Sequence, residues 1–256
     1  MKPFTTPAVC LLSLLAAVPA LPAQESKIAE QIEQFTEAYG DRKGTRDAEA
    51  QNLIDKMLQA YPKLEKKEQG KVRKALETCL LSGRVKRTPE QPGLFAGAAG
   101  ALGTMGGDGA KILQKAYKST KFKSRDWVAM RAVFLKSMGK TKDERVIEFL
   151  LERAARDPED AIMRAAGEAL FHYRESSLKV RKKIVKELIK KFAEVYGKAK
   201  ANLDPGDAQV KRSTQRLDAI SKSWNTTLQA LTKASHSTPP DWQRFYNKNK
   251  NANWDK

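Results

Sequence analysis

The chain has 256 residues, with 48 Lys and Arg against 30 Asp and Glu, a formal net charge of +18. At 41% hydrophobic and 30% charged it is too apolar for a wholly disordered polymer and too polar for a bundle of membrane spans. Nine Phe, four Trp and six Tyr are few beside the plentiful Ala and Lys, which suits helices better than sheets.

The first element is a leader. Lys2 is the only charge before Glu25, and residues 8–21 read AVCLLSLLAAVPAL, an apolar run too short and too interrupted by Pro19 to cross a bilayer. Small-residue sites follow, with cleavage expected after Ala20 or Ala23. Residues 1–23 therefore read as a secretory signal peptide, and the protein as exported, either periplasmic or secreted. A buried N-terminal helix is the alternative, and Pro19 and Pro22 would break it. Removing residues 1–23 takes away one charge, Lys2, and leaves +17. It also removes Cys10, so Cys79 is then the only thiol and no intramolecular disulfide can form. Cys79 shares an apolar stripe with Val72, Ala75 and Leu76, the position of a buried small hydrophobe.

Residues 24–82 read as an N-terminal helical cap. Ile28, Ile32, Phe35 and Tyr39 recur at three- and four-residue spacings, as do Leu53, Met57 and Tyr61, and then Val72, Leu76 and Cys79. Residues 83–94, with two Pro and two Gly, read as a surface loop. Three helix pairs are then expected over 93–196, and Leu102, Leu135 and Leu170 mark matching places at steps of 33 and 35 residues. That spacing predicts an all-α fold, an α-solenoid of antiparallel helix pairs in which neighbours share one core. The next Ala-Leu pair, Ala230-Leu231, lies 61 residues beyond Leu170, so the last unit is enlarged. After an interruption at 202–207, residues 206–256 supply a long closing helix and an aromatic end. Residues 24–256 are expected to form one domain.

The segments RAAGEALFHY and AAGALGTMGGDGAKIL resemble HEAT repeats, of the armadillo-type superhelix class. The chain beyond the leader is similar to exported bacterial HEAT-like proteins, including an aromatic, Asn/Lys-rich ending such as Trp242, Phe245, Tyr246 and Trp254. The resemblance implies a superhelical fold; function does not follow from it. It also implies a structural role for Arg73, Arg131 and Arg164, a recurring charged position hydrogen-bonding along the stack, with a concave binding surface as the other reading.

Chemical motifs are sparse. Gly97, Gly100, Gly103, Gly106, Gly107 and Gly109 lack the Gly-Lys-Ser/Thr of a phosphate loop, and close helix packing explains them more simply. His172 and His236 are the only histidines and have no second ligand at metal spacing. Glu148 and Glu152 sit among basic neighbours, where salt bridging outweighs acid–base work. No Gly-x-Ser-x-Gly occurs. No catalytic residue, metal site or cofactor is assigned, and the chain is not expected to be an enzyme. Basic HEAT-like DNA glycosylases are the enzymatic rival, and their intracellular setting conflicts with the leader.

Two features invite partners. At 100° per residue Lys179, Lys182, Lys183, Lys186 and Lys190 fall within about 100° of one another, while Val180, Ile184, Leu188, Phe192 and Val195 centre on the other side. This stripe is the candidate polyanion-binding surface; a solvated outer face is the plainer account. Glu175, Glu187 and Glu194 are the nearby acids. At the C-terminus, Thr238, Pro239 and Asp241 predict a capped helix start, and Trp242, Phe245 and Tyr246 are expected to cover the last helix pair against Trp224, Leu228 and Leu231, or else to stack a ligand. The expected function is a non-catalytic scaffold binding another macromolecule, a protein, through its curved surface. The alternative is weak binding of a polyanion, such as an acidic polysaccharide, envelope lipid headgroups or nucleic acid.

Overall fold

The computed structural model describes residues 21–201 and 207–255. Every regular element among them is helical, as the periodicity predicts: α1 (Leu21–Gly40), α2 (Asp47–Ala60), α3 (Lys66–Leu81), α4 (Gly93–Leu102), α5 (Gly106–Lys118), α6 (Val128–Lys140), α7 (Ile147–Arg156), α8 (Asp160–Leu170), α9 (Leu178–Ala199), α10 (Ala208–Thr232) and α11 (Pro239–Asn249). The expected leader lies outside the described residues as far as Ala20, and residues 21–23 open α1. Of the expected interruption at 202–207, only Asp207 is described. Its Oδ1 accepts from the amides of Gln209 and Val210 and so caps α10, which ends at Lys233 in the left-handed region, φ 62°.

The helices touch in two series. α2, α4, α6, α8 and α10 contact one another in that order. On the other side α1 meets α3, α3 meets α5, α7 meets α9 and α9 meets α11. Each odd helix from α1 to α9 also lies on an even neighbour, so its apolar stripe is covered from that side. Leu102 and Leu170 end α4 and α8, Leu135 lies five residues before the end of α6, and all three are fully buried. Between α5 and α7 the bridge is made by side chains. The Tyr117 and Phe149 rings meet edge to face at 5.3 Å, and Tyr117 Oη donates to the buried Asp157 at 3.1 Å.

The segment expected as a plain surface loop is anchored. Val85 is buried, and the Arg87 guanidinium, 2% exposed, donates to Asp47 at 2.6 and 2.8 Å and to the Tyr39 carbonyl at 3.3 Å. A buried Arg–carboxylate pair of this kind ties the end of α1 and the start of α2 to the approach to α4. At the other end, Trp224 Nε1 and Thr227 Oγ1 of α10 donate to the carbonyls of Met163 and Gly167 of α8 at 3.3 and 3.0 Å.

The glycines divide by what surrounds them. A Cβ on Gly109 would come within 1.9 Å of the Leu102 carbonyl oxygen, and one on Gly139 within 2.3 Å of that of Ala169. At these points backbone meets backbone. Gly97 has only ordinary contacts and Gly100 none within 4 Å, so close approach does not explain those two.

This contrast has a measurable consequence. Gly139→Ala forces α6 away from α8 and should cost about 1–3 kcal/mol, read as a lower urea midpoint at unchanged slope. Gly100→Ala adds a methyl into open space on a helix and should raise the midpoint by about 0.5–1 kcal/mol equivalent. Equal effects of the two would contradict the packing.

Candidate polyanion-binding face

α9 carries the basic residues singled out in the sequence. Ser177 opens it by accepting from the Val180 amide, and Ile184, Val185, Leu188, Ile189 and Phe192 fill its buried side. Lys179, Lys183, Lys186 and Lys190 are exposed on the other side, spread over about 16 Å of helix at 1.5 Å per residue. Lys183 pairs with Glu148 of α7. Among the described residues Lys179, Lys186 and Lys190 have no ion pair. Of the acids expected nearby, Glu175 binds Lys142 at 2.9 Å and Glu194 binds Lys191 and Lys198, each at 3.0 Å, while Glu187 has no ion pair among the described residues. Lys182 departs from the expected stripe. It is half-buried with its Nζ 5.6 Å from the centre of the Trp254 ring, because its place on the flank of α9 faces the C-terminal residues.

One functional-looking residue of α9 escaped the sequence reading. Arg181, 2% exposed, donates from Nη1 to the Leu231 carbonyl at 3.0 Å and from Nη2 to Asp255 Oδ2 at 2.6 Å. Lys233 reaches the same carboxylate at 3.2 Å. The signal was present: Arg181 falls three and seven residues before Ile184 and Leu188, on the apolar stripe itself. A buried guanidinium needs acceptors, and the C-terminal residues bring one to it. Trp254 is buried beside this clasp, donates to the Asn249 carbonyl at 3.0 Å and lies 6.0 Å from the Phe245 ring.

α11 starts as expected, with Thr238 Oγ1 accepting from the Asp241 amide and Pro239 in the first turn. Its docking differs from the expected cover over Trp224, Leu228 and Leu231. It packs chiefly along α9 and reaches α10 through Trp242, whose Nε1 donates to Asn225 Oδ1 at 2.7 Å. Arg181 supplies the reason, since its carboxylate partner draws residues beyond α11 back over α9. Trp242 is fully buried, which favours packing over the stacking of a ligand.

The remaining candidates are structural by their geometry. Cys79 is fully buried and burial pushes its thiol up to about 12. His172 meets the Phe171 ring edge to face at 6.0 Å, and burial lowers its pKa; His236 meets Trp242 at 4.9 Å. Glu148 and Glu152 are paired with Lys183 and Arg153. The three repeated arginines form no common ladder. Arg73 bonds Tyr61 and Asp108, Arg131 lies over the Tyr117 ring, and Arg164 faces Glu168 on its own helix. Sequence reasoning also missed Lys121, whose Nζ donates to the Leu80 and Ser82 carbonyls at the end of α3 and lies 4.1 Å from the Phe95 ring centre. Burial draws its pKa down to about 8, against the carbonyls and ring, which favour the ammonium. No group of three His, Cys, Asp or Glu side chains able to hold a metal occurs among the described residues, and no described helix is long and apolar enough to cross a membrane.

Comparison with protein-family models, curated proteins and solved structures finds no match.

The clasp and the thiol each give a test. Hydrogen bonds from Lys233 and then Arg181 hold the Asp255 carboxyl below its usual range. A depressed folded pKa means that its contribution is present above the ordinary carboxylate range and is lost as pH falls through the lowered value. Asp255→Asn should therefore expose Trp254 to iodide quenching at neutral pH and remove that part of the acid response; unchanged quenching would contradict the clasp. A thiol reagent at pH 8 should label Cys79 only after denaturation.

Proposed function

We propose that this chain is an exported, non-catalytic HEAT-like helical-repeat scaffold that binds another macromolecule through the outer surface of its stacked helices. Support for the repeat reading comes from the contact order α2, α4, α6, α8, α10 and from the burial of Leu102, Leu135 and Leu170 at steps of 33 and 35 residues, as expected for a solenoid of helix pairs. The short apolar leader supports the exported setting.

A second reading narrows the partner to a polyanion. The observation that carries it is the open stripe of Lys179, Lys186 and Lys190, exposed and without ion pairs among the described residues on a chain of net charge +18. Like charges four residues apart, as Lys186 and Lys190 are, repel by a few tenths of a kcal/mol per pair, so the arrangement costs stability slightly and raises the local positive potential.

The test is retention on immobilised heparin. Lys179→Glu, Lys186→Glu and Lys190→Glu together should move elution to clearly lower salt, because each neutralised contact removes one released counterion from the salt dependence. Elution of the triple variant together with the unaltered protein would reduce the stripe to a solvated face.

A further inference from the structure

The lysine pattern of α9 is repeated on two other odd-numbered helices. α3 exposes Lys67, Lys71 and Lys74, and α5 exposes Lys111, Lys115 and Lys118. Each set has the spacing i, i+4, i+7, the same as Lys179, Lys183 and Lys186. At 100° per residue such a set spans about 60° of the helix surface. All three helices lay their apolar stripes on even neighbours, α4, α6 and α10 among them, so the lysines face away from the even series. Lys115 reaches Glu77 of α3 at 3.0 Å, and Lys183 reaches Glu148 of α7, so neighbouring helices are laced together on this side. A cavity of about 570 Å³ on the same side is bordered by Lys118 of α5, Glu152 and Arg156 of α7 and Lys191 of α9, which joins α5 to α9 across α7. The two exposed α7 glutamates are engaged, Glu148 with Lys183 and Glu152 with Arg153. α1 bounds the face with Glu30, Glu33 and Glu37 exposed, and α4 in the even series has no charged residue at all.

We infer that α3, α5 and α9 form one extended basic face that docks on the surface of an anionic lipid bilayer. This rests on the polyanion reading above and enlarges its site from one helix to three. Three features select a lipid surface over a single anionic strand. The cations cover a broad face of several helices instead of lining one groove that could track a backbone. Every one of the repeated positions is lysine, a compact hydrated charge, with none of the forked guanidinium contacts suited to fixed phosphate geometry. No exposed aromatic ring lies among them to stack a base. Nor is there an exposed large apolar side chain among them to insert, so attachment is electrostatic and sensitive to salt.

The experiment is co-sedimentation of the protein with phosphatidylcholine vesicles, with and without phosphatidylglycerol, beside heparin retention. The protein should bind only the anionic vesicles and leave them as salt rises. A lysine near an anionic surface contributes about fivefold in partitioning. Lys67→Glu with Lys71→Glu on α3, or Lys111→Glu with Lys118→Glu on α5, should therefore each weaken vesicle binding at least about twentyfold. Lys211→Glu with Lys222→Glu on α10 makes the same charge change on the even series and should have a much smaller effect. Melting curves of these surface variants establish that each is folded. Equal losses for the α3, α5 and α10 pairs would overturn the face, as would equal binding to neutral vesicles. Heparin retention without vesicle binding would overturn the lipid surface and leave the polyanion reading standing. Failure on both would overturn the two together.

Discussion

An amphipathic helix with one buried stripe needs a partner, and in this chain the partner is repeatedly found two helices along. α4 lies against α2 and α6, and α8 against α6 and α10. The backbone approach this requires is visible where Gly139 meets the Ala169 carbonyl, and where the absence of a side chain on Gly167 admits the Trp224 ring. Such packing leaves every helix with one face outside the core. It thereby creates both the outward basic surface and the problem of closing the two ends.

The two ends are closed by charge as well as by burial. Arg87 pairs with Asp47 near the first helices, and Arg181 holds Asp255 and the Leu231 carbonyl near the last. In each case a guanidinium almost wholly removed from water is matched to a carboxylate and a backbone carbonyl. Removing one partner of such a pair leaves a buried charge exposed to the full cost of desolvation. Both pairs connect segments distant in sequence, so they specify where a loop and a tail must lie. The outward lysines obey the opposite rule. They remain hydrated, pair with glutamates only sparsely and are available to an external anion.

The basic surface and the packing share one cause. On α9 the same 3.6-residue repeat that puts Ile184, Leu188 and Phe192 inside puts Lys179, Lys183, Lys186 and Lys190 outside. Lys182, one position away from that line, becomes part of the tail packing against Trp254. A difference of 100° about the helix axis thus separates a residue available for binding from one committed to structure.

Local periodicity was enough to read the all-helical class, the burial of Cys79, the Thr238 cap of α11 and the lysine side of α9. Each depends on residues within a few turns of one another, whose relative directions are set by helix geometry. The anchoring of residues 83–94, the docking of α11 along α9 and the burial of Arg181 were decided only in three dimensions. They depend on pairs such as Arg87 with Asp47, and Arg181 with Asp255, 40 and 74 residues apart. An arginine on an apolar stripe shows from sequence only that an acceptor is owed. Which carboxylate supplies it is settled by where the stacked helices bring the chain's ends.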